Sequence, residues 1–381
     1  MITDDKILAA VRDHGSNRKA ASALGLNART VDRRLERMRF RGYSPEHDMI
    51  RTVPDGYIVK GVSTMYREDG SIAGQWVKSS VDGLRREALM REAFEAIRSE
   101  LKPLKPRKAK GKWTADILAS YVIGDPHVGM RAWAEECGAD WDLAIAQDVH
   151  RSVVDDLAER AMPAEQALLV NLGDLLHYDS MEAKTPRSGH MLDADGRYAK
   201  MIRVAVEVML QAVESLLAKH RRVHVVNAIG NHDETGALAV ARCLKIAYER
   251  EKRVSVDTSP SVFNYFRWGK VLLGIHHGHT CKPDKLPGVM ATDMAEAWGR
   301  CPHRYWWTGH VHHESYREFP GVSVETFGTL AERDAFATQG GWRSRQGMHM
   351  LLLHREAGEI GRLLSNPLIA GFDLAKLKAA A

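Results

Sequence analysis

The sequence predicts an α/β layered domain led by a small, separate module of helices and a β-hairpin. Three observations carry that expectation. From residue 113 onward, short apolar runs alternate with amphipathic stretches of helical period. Polar clusters containing glycine follow the ends of those runs. Residues 1–83 show another pattern, first helical and then alternating, and a Pro/Lys-rich stretch separates the two regions. At 381 residues with 44% hydrophobic side chains, the chain can fill one large core and a smaller appendage. The expected organisation is a helical segment over 1–43, a hairpin or wing-like segment over 44–83, a charged helix and basic linker over 84–112, and the main domain over 113–381.

The first segment reads as helices over 4–13, 18–24 and 28–38, with Ile7, Leu8 and Val11 at helical spacing in the first. Gly25 falls where a tight turn between the second and third needs positive φ. Ten bases against five acids over residues 1–43 make this part basic, and the third helix carries much of the excess. The run from Lys19 to Leu35 resembles the helix-turn-helix of bacterial and phage DNA-binding proteins. That resemblance implies a third helix in the major groove, offering Arg29, Thr30, Arg33 and Arg34 to bases or phosphates. A small helical oligomerisation module is the alternative reading.

From 52 to 79 the pattern turns to β, with apolar-rich runs on both sides of Glu68-Asp69-Gly70-Ser71, a hairpin signal. A charged helix over 84–101 should follow. The linker then holds six bases, Lys102, Lys105, Arg107, Lys108, Lys110 and Lys112, with Pro103 and Pro106 among them and no acid. In the main domain, strands are expected at 117–123, 167–172, 223–229, 271–275 and 305–308, and helices at 143–161, 198–217 and 237–249. Residues 313–364 look mostly β, closing with a hairpin at Ala357-Gly358. The polar stretch 177–198 is long for a connection, and Lys184, Arg187 and His190 in it are candidates for phosphate contact, or for a plain surface loop.

Composition excludes several classes. The four cysteines, Cys137, Cys243, Cys281 and Cys301, are far apart and form no C-x-x-C pair, which argues against a zinc knuckle or disulfide framework and for a reducing, cytoplasmic setting. Acids at Asp4 and Asp5 oppose a signal peptide, and no apolar run nears the ~20 residues that span a bilayer, so no membrane partner is expected. Neither a Gly-x-Ser-x-Gly elbow nor a Walker A loop is present. Oligomeric state and the choice between exo and endo action have no signature in the sequence.

The chemistry lies at the strand ends. Successive apolar runs finish in Gly124-Asp125-Pro126-His127, Gly173-Asp174-Leu175-Leu176-His177, Gly230-Asn231-His232-Asp233, His276-His277-Gly278-His279 and Gly309-His310-Val311-His312. In open α/β sheets that edge is where sites form. A lone histidine is more often a satisfied core or surface residue than a ligand. Five such clusters at successive strand ends are not explained by chance turns. Imidazole with carboxylate and without thiolate suits manganese, iron, zinc or nickel rather than calcium.

In this order the motifs resemble the calcineurin-like metallophosphoesterase superfamily, over roughly residues 117–330. The resemblance implies a β-sandwich flanked by helices and two divalent transition-metal ions, manganese first among them, with a metal-bridging hydroxide attacking phosphorus. One ion would take Asp125, His127 and His312, and the other Asn231, His277 and His310, with Asp174 bridging. His276 and His279 compete with His277 for the fourth motif. His232 would act as general acid with Asp233 orienting its ring. His177, where the commoner motif has Asp, looks like the exonuclease branch that processes double-strand breaks, and would position or stabilise the transferring phosphate. A helix-turn-helix ahead of a phosphoesterase is also similar to proteins of phage genomes. The expected function is thus a phosphodiesterase acting on DNA in a nuclease-like manner. The alternatives are a phosphatase or phosphodiesterase on nucleotides or other small phosphate esters, and a DNA-binding regulator with a vestigial metal domain.

Overall fold

The structure is a computed structural model, and it describes residues 2–40, 42–44, 57–67, 69, 72–81, 112–186 and 189–373. The expected helix over 84–101, most of the Pro/Lys stretch, and Arg187 lie outside the described residues. The chain falls into two compact units, Met1–Glu92 and Ala93–Ala381.

In the first unit, α1 (Asp4–His14), α2 (Asn17–Ala23) and α3 (Ala28–Phe40) close on Ile7, Leu8, Ala21, Val31, Leu35 and Met38. Thr3 and Ser16 cap α1 and α2 by accepting from the amides of Lys6 and Lys19. Gly25 takes φ +65 in the turn before α3, as the sequence requires. Strands β1 (Tyr57–Tyr66) and β2 (Ile72–Val81) pair antiparallel across the expected turn.

The second unit is built on two sheets. The first holds β3 (Thr114–Ile123), β4 (Ala164–Asn171), β5 (Arg222–Asn227) and β6 (Val254–Val256) in parallel, extended past β3 by antiparallel β12 (Met348–His354) and β13 (Gly358–Ser365). The second runs β10 (Ser315–Phe319), β11 (Val322–Thr326), β9 (His303–Thr308), β8 (Val271–Ile275) and β7 (Asn264–Trp268), with only β11, β9 and β8 mutually parallel. Their inner faces meet through Leu118, Val122, Leu168, Val170 and Val226 of one and Val271, Leu273, Ile275 and Trp307 of the other. Burying each such side chain contributes about 1.5–3 kcal/mol, so this seam is the main core.

Amphipathic helices cover the outside. Between β3 and β4 lie α4 (Ala134–Cys137) and α5 (Leu143–Arg160). Asp142 caps α5 on the amide of Ile145. α6 (Tyr198–Lys219) and α7 (Gly236–Ala247) pack along β5. α8 (Leu286–Asp293) and α9 (Ala295–Arg300) shield Leu272, Trp306, Val322 and Val324 on the far face of the second sheet. α10 (Ala335–Gln339) interrupts the otherwise β C-terminal region. The layered α/β class and the flanked sandwich are therefore as expected. β8 and β9 belong to a second sheet facing the first, so the strand-end motifs divide between the two. Among the described residues no helix is long and apolar enough to cross a membrane.

Two buried histidines away from the strand-end motifs should make the fold sensitive to acid. His150 donates from Nδ1 to the Ala146 carbonyl, and His220 bridges the Ala164 carbonyl and the Tyr121 hydroxyl. Burial holds both imidazoles down to about 4. Between roughly pH 6.5 and 4 the unfolded chain takes up these protons and the folded chain does not. Unfolding free energy should thus fall across that window, by up to about 3 kcal/mol per histidine. Denaturant titrations at successive pH values check this, and a flatter profile is expected of His150→Gln.

Candidate metal centre

All five motifs converge at the carboxyl edge of the two sheets. β3, β4 and β5 lead into Asp125 and His127, Asp174, and Asn231 and His232, while β8 and β9 lead into His277, His310 and His312. The backbone at these turns is strained. Among the described residues, the non-glycine positions with positive φ are Asp125 (42), His127 (43), Asp174 (50), His310 (75) and His312 (55). Such conformations cost on the order of 1–3 kcal/mol each, and they gather at sites that must hold side chains in fixed places. Every one of them is a residue the sequence proposes as a ligand.

The glycines of the motifs make room for those ligands. A Cβ on Gly230 would collide with the Asp174 carboxylate, and one on Gly309 would lie 2.5 Å from Asp125 Oδ2. Two backbone amides fix the carboxylates in turn. His310 N–H donates to Asp125 Oδ1 and Oδ2 at 2.9 and 3.0 Å, and His232 N–H donates to Asp174 Oδ1 at 2.8 Å.

Asp125, His127 and His312 form one set of donors, and Asp174, His277 and His310 another, each with donor atoms within 4.8 Å of one another. One ion at ~2.0–2.2 Å from each donor spans at most about 4.4 Å between donors, so the sets need close by only a few tenths of an ångström to hold one. Asn231 Oδ1 lies 3.0 Å from His277 Nε2, at the edge of the second set. The sets adjoin through Asp174 Oδ2, which is 3.1 Å from His277 Nε2 and 4.0 Å from His127 Nε2. That is the position of a bridging ligand.

The electrostatics ask for cations. Asp125 and Asp174 are wholly buried, and among the described residues they pair with no lysine or arginine, only with imidazoles. Burial pushes the Asp125 carboxyl up, against the pull of His312 and His277. Burial alone would do the same to Asp174, but His277, His232 and His127 outweigh it and hold that carboxyl well below its usual range. Burial keeps His127 neutral, reinforced by His232 and His312, and a neutral ring is the form that binds a metal. His127 Nε2 and His312 Nε2 face each other at 3.0 Å. An ion between them would take both nitrogens as ligands. The donor set therefore fits two divalent ions.

His277 stands out in the fourth motif. Its Nδ1 donates to the Leu172 carbonyl at 2.9 Å, which leaves Nε2 as the donor atom facing Asp174 and Asn231. A carbonyl that fixes the tautomer in this way is the usual support of a metal-bound histidine. His276 instead stacks on Phe263, with Nδ1 taken by the Gly278 amide and Nε2 by Thr280 Oγ1. His279 lies beyond, its ring centroid 5.2 Å from that of His277.

One expectation is corrected. Asp233 does not orient the His232 ring, because its oxygens accept the amides of Leu176 and Gly230 at 3.2 and 3.0 Å. It ties the second motif to the third, and burial together with the charge of Asp174 pushes its carboxyl up to about 8. The His232 ring is set by the His177 carbonyl, 2.7 Å from Nδ1. The buried His177 ring lies with Nδ1 3.4 Å from Nδ1 of His127 and stacks beside His232, and the three imidazoles form a further group of donor atoms within 4.8 Å of one another.

The stretch after His177 is rooted to the site. Asp179 accepts from the Tyr198 hydroxyl and from the amides of Thr235 and Gly236, which anchors the start of α7. The backbone pairs Met130 with Ala194, and Asp195 Oδ2 accepts the Leu143 amide. Lys184 and His190 lie at its outer turn, where Lys184 pairs with Glu182. Thr329, which no sequence pattern marks, donates its hydroxyl to the Asp125 carbonyl at 2.7 Å.

In the N-terminal unit Arg29 and Arg33 are exposed on α3 and Thr30 is half-buried. Arg34 is corrected. Its guanidinium donates to Asp4 and to the Ile2 carbonyl and fastens α3 to α1, so it is not available to a phosphate.

The sandwich and the constellation at its edge agree with the architecture implied by the resemblance to the calcineurin-like metallophosphoesterases. No protein-family model matches the chain, and no curated protein is similar to it in sequence. Solved structures similar to it include an archaeal phosphodiesterase, at 13% identity over 65% of this chain and 99% of that one, with a TM-score of 0.34. Vps29 from Entamoeba histolytica, complexed with Zn²⁺, is similar at 12% identity over 65% and 98%, with a TM-score of 0.27. A predicted phosphoesterase from Streptococcus pneumoniae is similar at 10% over 66% and 100%, with a TM-score of 0.27. At that identity and overlap no activity passes from them to this chain.

Proposed function

We propose that the protein is a dinuclear metal-dependent phosphodiesterase that acts on DNA. The observation that carries the chemistry is the pair of adjoining donor sets meeting at Asp174 Oδ2, beside a half-buried His232. Ions held there would supply Lewis acidity towards phosphoryl oxygens and would acidify a water nucleophile towards neutrality. The residues of the chain do the rest. Asp125, His127 and His312 would hold one ion, and Asn231, His277 and His310 the other, with Asp174 placed to serve both. His127 Nδ1 is braced by His177.

His232 supports the leaving group. A carbonyl can only accept, so the His177 oxygen places a proton on His232 Nδ1 and leaves Nε2 as the opposite, working end of the ring. When the ring is charged, Nε2–H can protonate the departing oxygen.

The DNA reading rests on the basic α3 and its exposed Arg29 and Arg33. Full-length protein with Mn²⁺ should cleave DNA and a bis-aryl phosphodiester and leave an aryl phosphomonoester nearly untouched. Turnover of cyclic nucleotides or monoesters in place of DNA would favour the small-ester alternative. DNA binding without any turnover would favour a regulator with a vestigial metal domain. Arg29→Ala with Arg33→Ala should weaken duplex binding and reduce the salt slope by about one to two, because each lost phosphate contact removes counterion release. Unchanged affinity in a salt titration would make the N-terminal helices an oligomerisation module instead.

A further inference from the structure

A second feature of the metal-bearing unit remains unexplained by the two-metal chemistry. Phe336, on α10, and Trp342, just after it, meet edge to face with ring centroids 5.2 Å apart. Both stay exposed, at 65% and 57%. The backbone explains why they meet. Gly341 takes φ +74, Trp342 N–H returns to the Ala337 carbonyl, and the helix ends in a Schellman turn, which brings the residue after the turn back onto the last helical turn. It does not explain why both are large aromatics, because one aliphatic contact would serve the turn.

The platform is anchored to the catalytic edge. Thr329 donates to the Asp125 carbonyl, and Arg333 donates to the Cys137 carbonyl, which holds the start of α10 against α4 just after the His127 loop. Phe336 follows Thr329 by seven positions, so its backbone lies at most about 25 Å from that anchor. The charges around it are sorted. Asp334 turns inward to cap α10, and Glu332 pairs with Arg333, whereas Arg345 is exposed and makes no hydrogen bond or ion pair among the described residues.

We propose that Phe336 and Trp342 form a stacking platform for an unpaired nucleobase of the substrate, with the neighbouring phosphate facing Arg345. An exposed aromatic pair offers a base its π-face whatever the sequence, and a nearby cation complements the backbone charge. This deepens the phosphodiesterase reading and rests on it for the identity of the substrate.

The test is equilibrium binding of a labelled single-stranded tetranucleotide to the full chain with Mn²⁺, since so short a strand offers the N-terminal helices no duplex. A tetranucleotide of the same backbone lacking bases is the control. Trp342→Ala and Phe336→Ala should each weaken binding of the base-bearing strand by about 5- to 100-fold. Neither should change the already weak binding of the abasic strand, and Trp342→Phe should restore most of the loss. Equal binding of both strands by wild type, or undiminished binding by both alanine variants, overturns the platform. Hydrolysis of a bis-aryl phosphodiester by wild type is measured alongside. Its absence counts against the phosphodiesterase chemistry and leaves the comparison of the two strands to decide the platform.

Discussion

Asp174→Asn should lose both activity and metal. The side chain keeps its size, and its Oδ1 can still accept the His232 amide, so the loop has reason to keep its shape. What changes is Oδ2, the atom that stands between His277 of one donor set and His127 of the other. An amide nitrogen there presents hydrogens to both positions and removes the one charge shared by two sites. Removing partners of metal ligands typically costs about 10- to 100-fold in affinity or activity, so loss of a bridging ligand should exceed about 100-fold. Metal analysis by mass spectrometry and turnover of an aryl diester read the result. Asp148→Asn, a change on the exposed face of α5, should alter neither. Two ions per chain with full turnover in Asp174→Asn would sink the site assignment.

The strand-end motifs were legible because the same residues serve two ends. A glycine must let a carboxylate come close, as Gly230 does for Asp174, and the pattern of glycine beside ligand survives in one dimension. The strands leading into the motifs were legible for a related reason, since β4 and β8 are buried along most of their length and so read as continuous apolar runs. What pattern could not show is how the motifs divide between two sheets, because facing sheets are joined by long-range packing such as Leu168 and Val170 against Leu273 and Trp307. The α8 helix was hidden by Pro287 and Gly288 in its first turn, which look like a break.

Tautomer-setting carbonyls are illegible in principle. Nothing in the identity of His177 says that its main-chain oxygen holds His232, or that Asp233, the neighbouring acid, is engaged by the amides of Leu176 and Gly230. Arg34 shows the same limit. It shares a helix with Arg29 and Arg33, and only the placement of Asp4 across from it reveals a structural arginine.

His232→Ala should separate substrates by their leaving groups. A general acid matters when the departing oxygen is too basic to leave as an anion, as in DNA, and matters little for an acidic phenol. The variant should therefore lose about 10²- to 10⁴-fold on DNA and far less on an aryl diester. Metal content should stay near wild type, because the His232 ring turns its Nδ1 to a carbonyl and only its backbone amide supports Asp174, and alanine keeps that amide. His177→Ala is the contrasting variant. Its Nδ1 meets Nδ1 of His127, a proposed metal ligand, so its loss should weaken metal binding by about 10- to 100-fold and slow both substrates alike. Equal losses on DNA and aryl diester in His232→Ala, with both ions retained, would remove it from the leaving-group step. Loss of an ion in that variant would show that its ring buttresses Asn231, and the acid role would pass to His177, whose ring stacks beside that of His232.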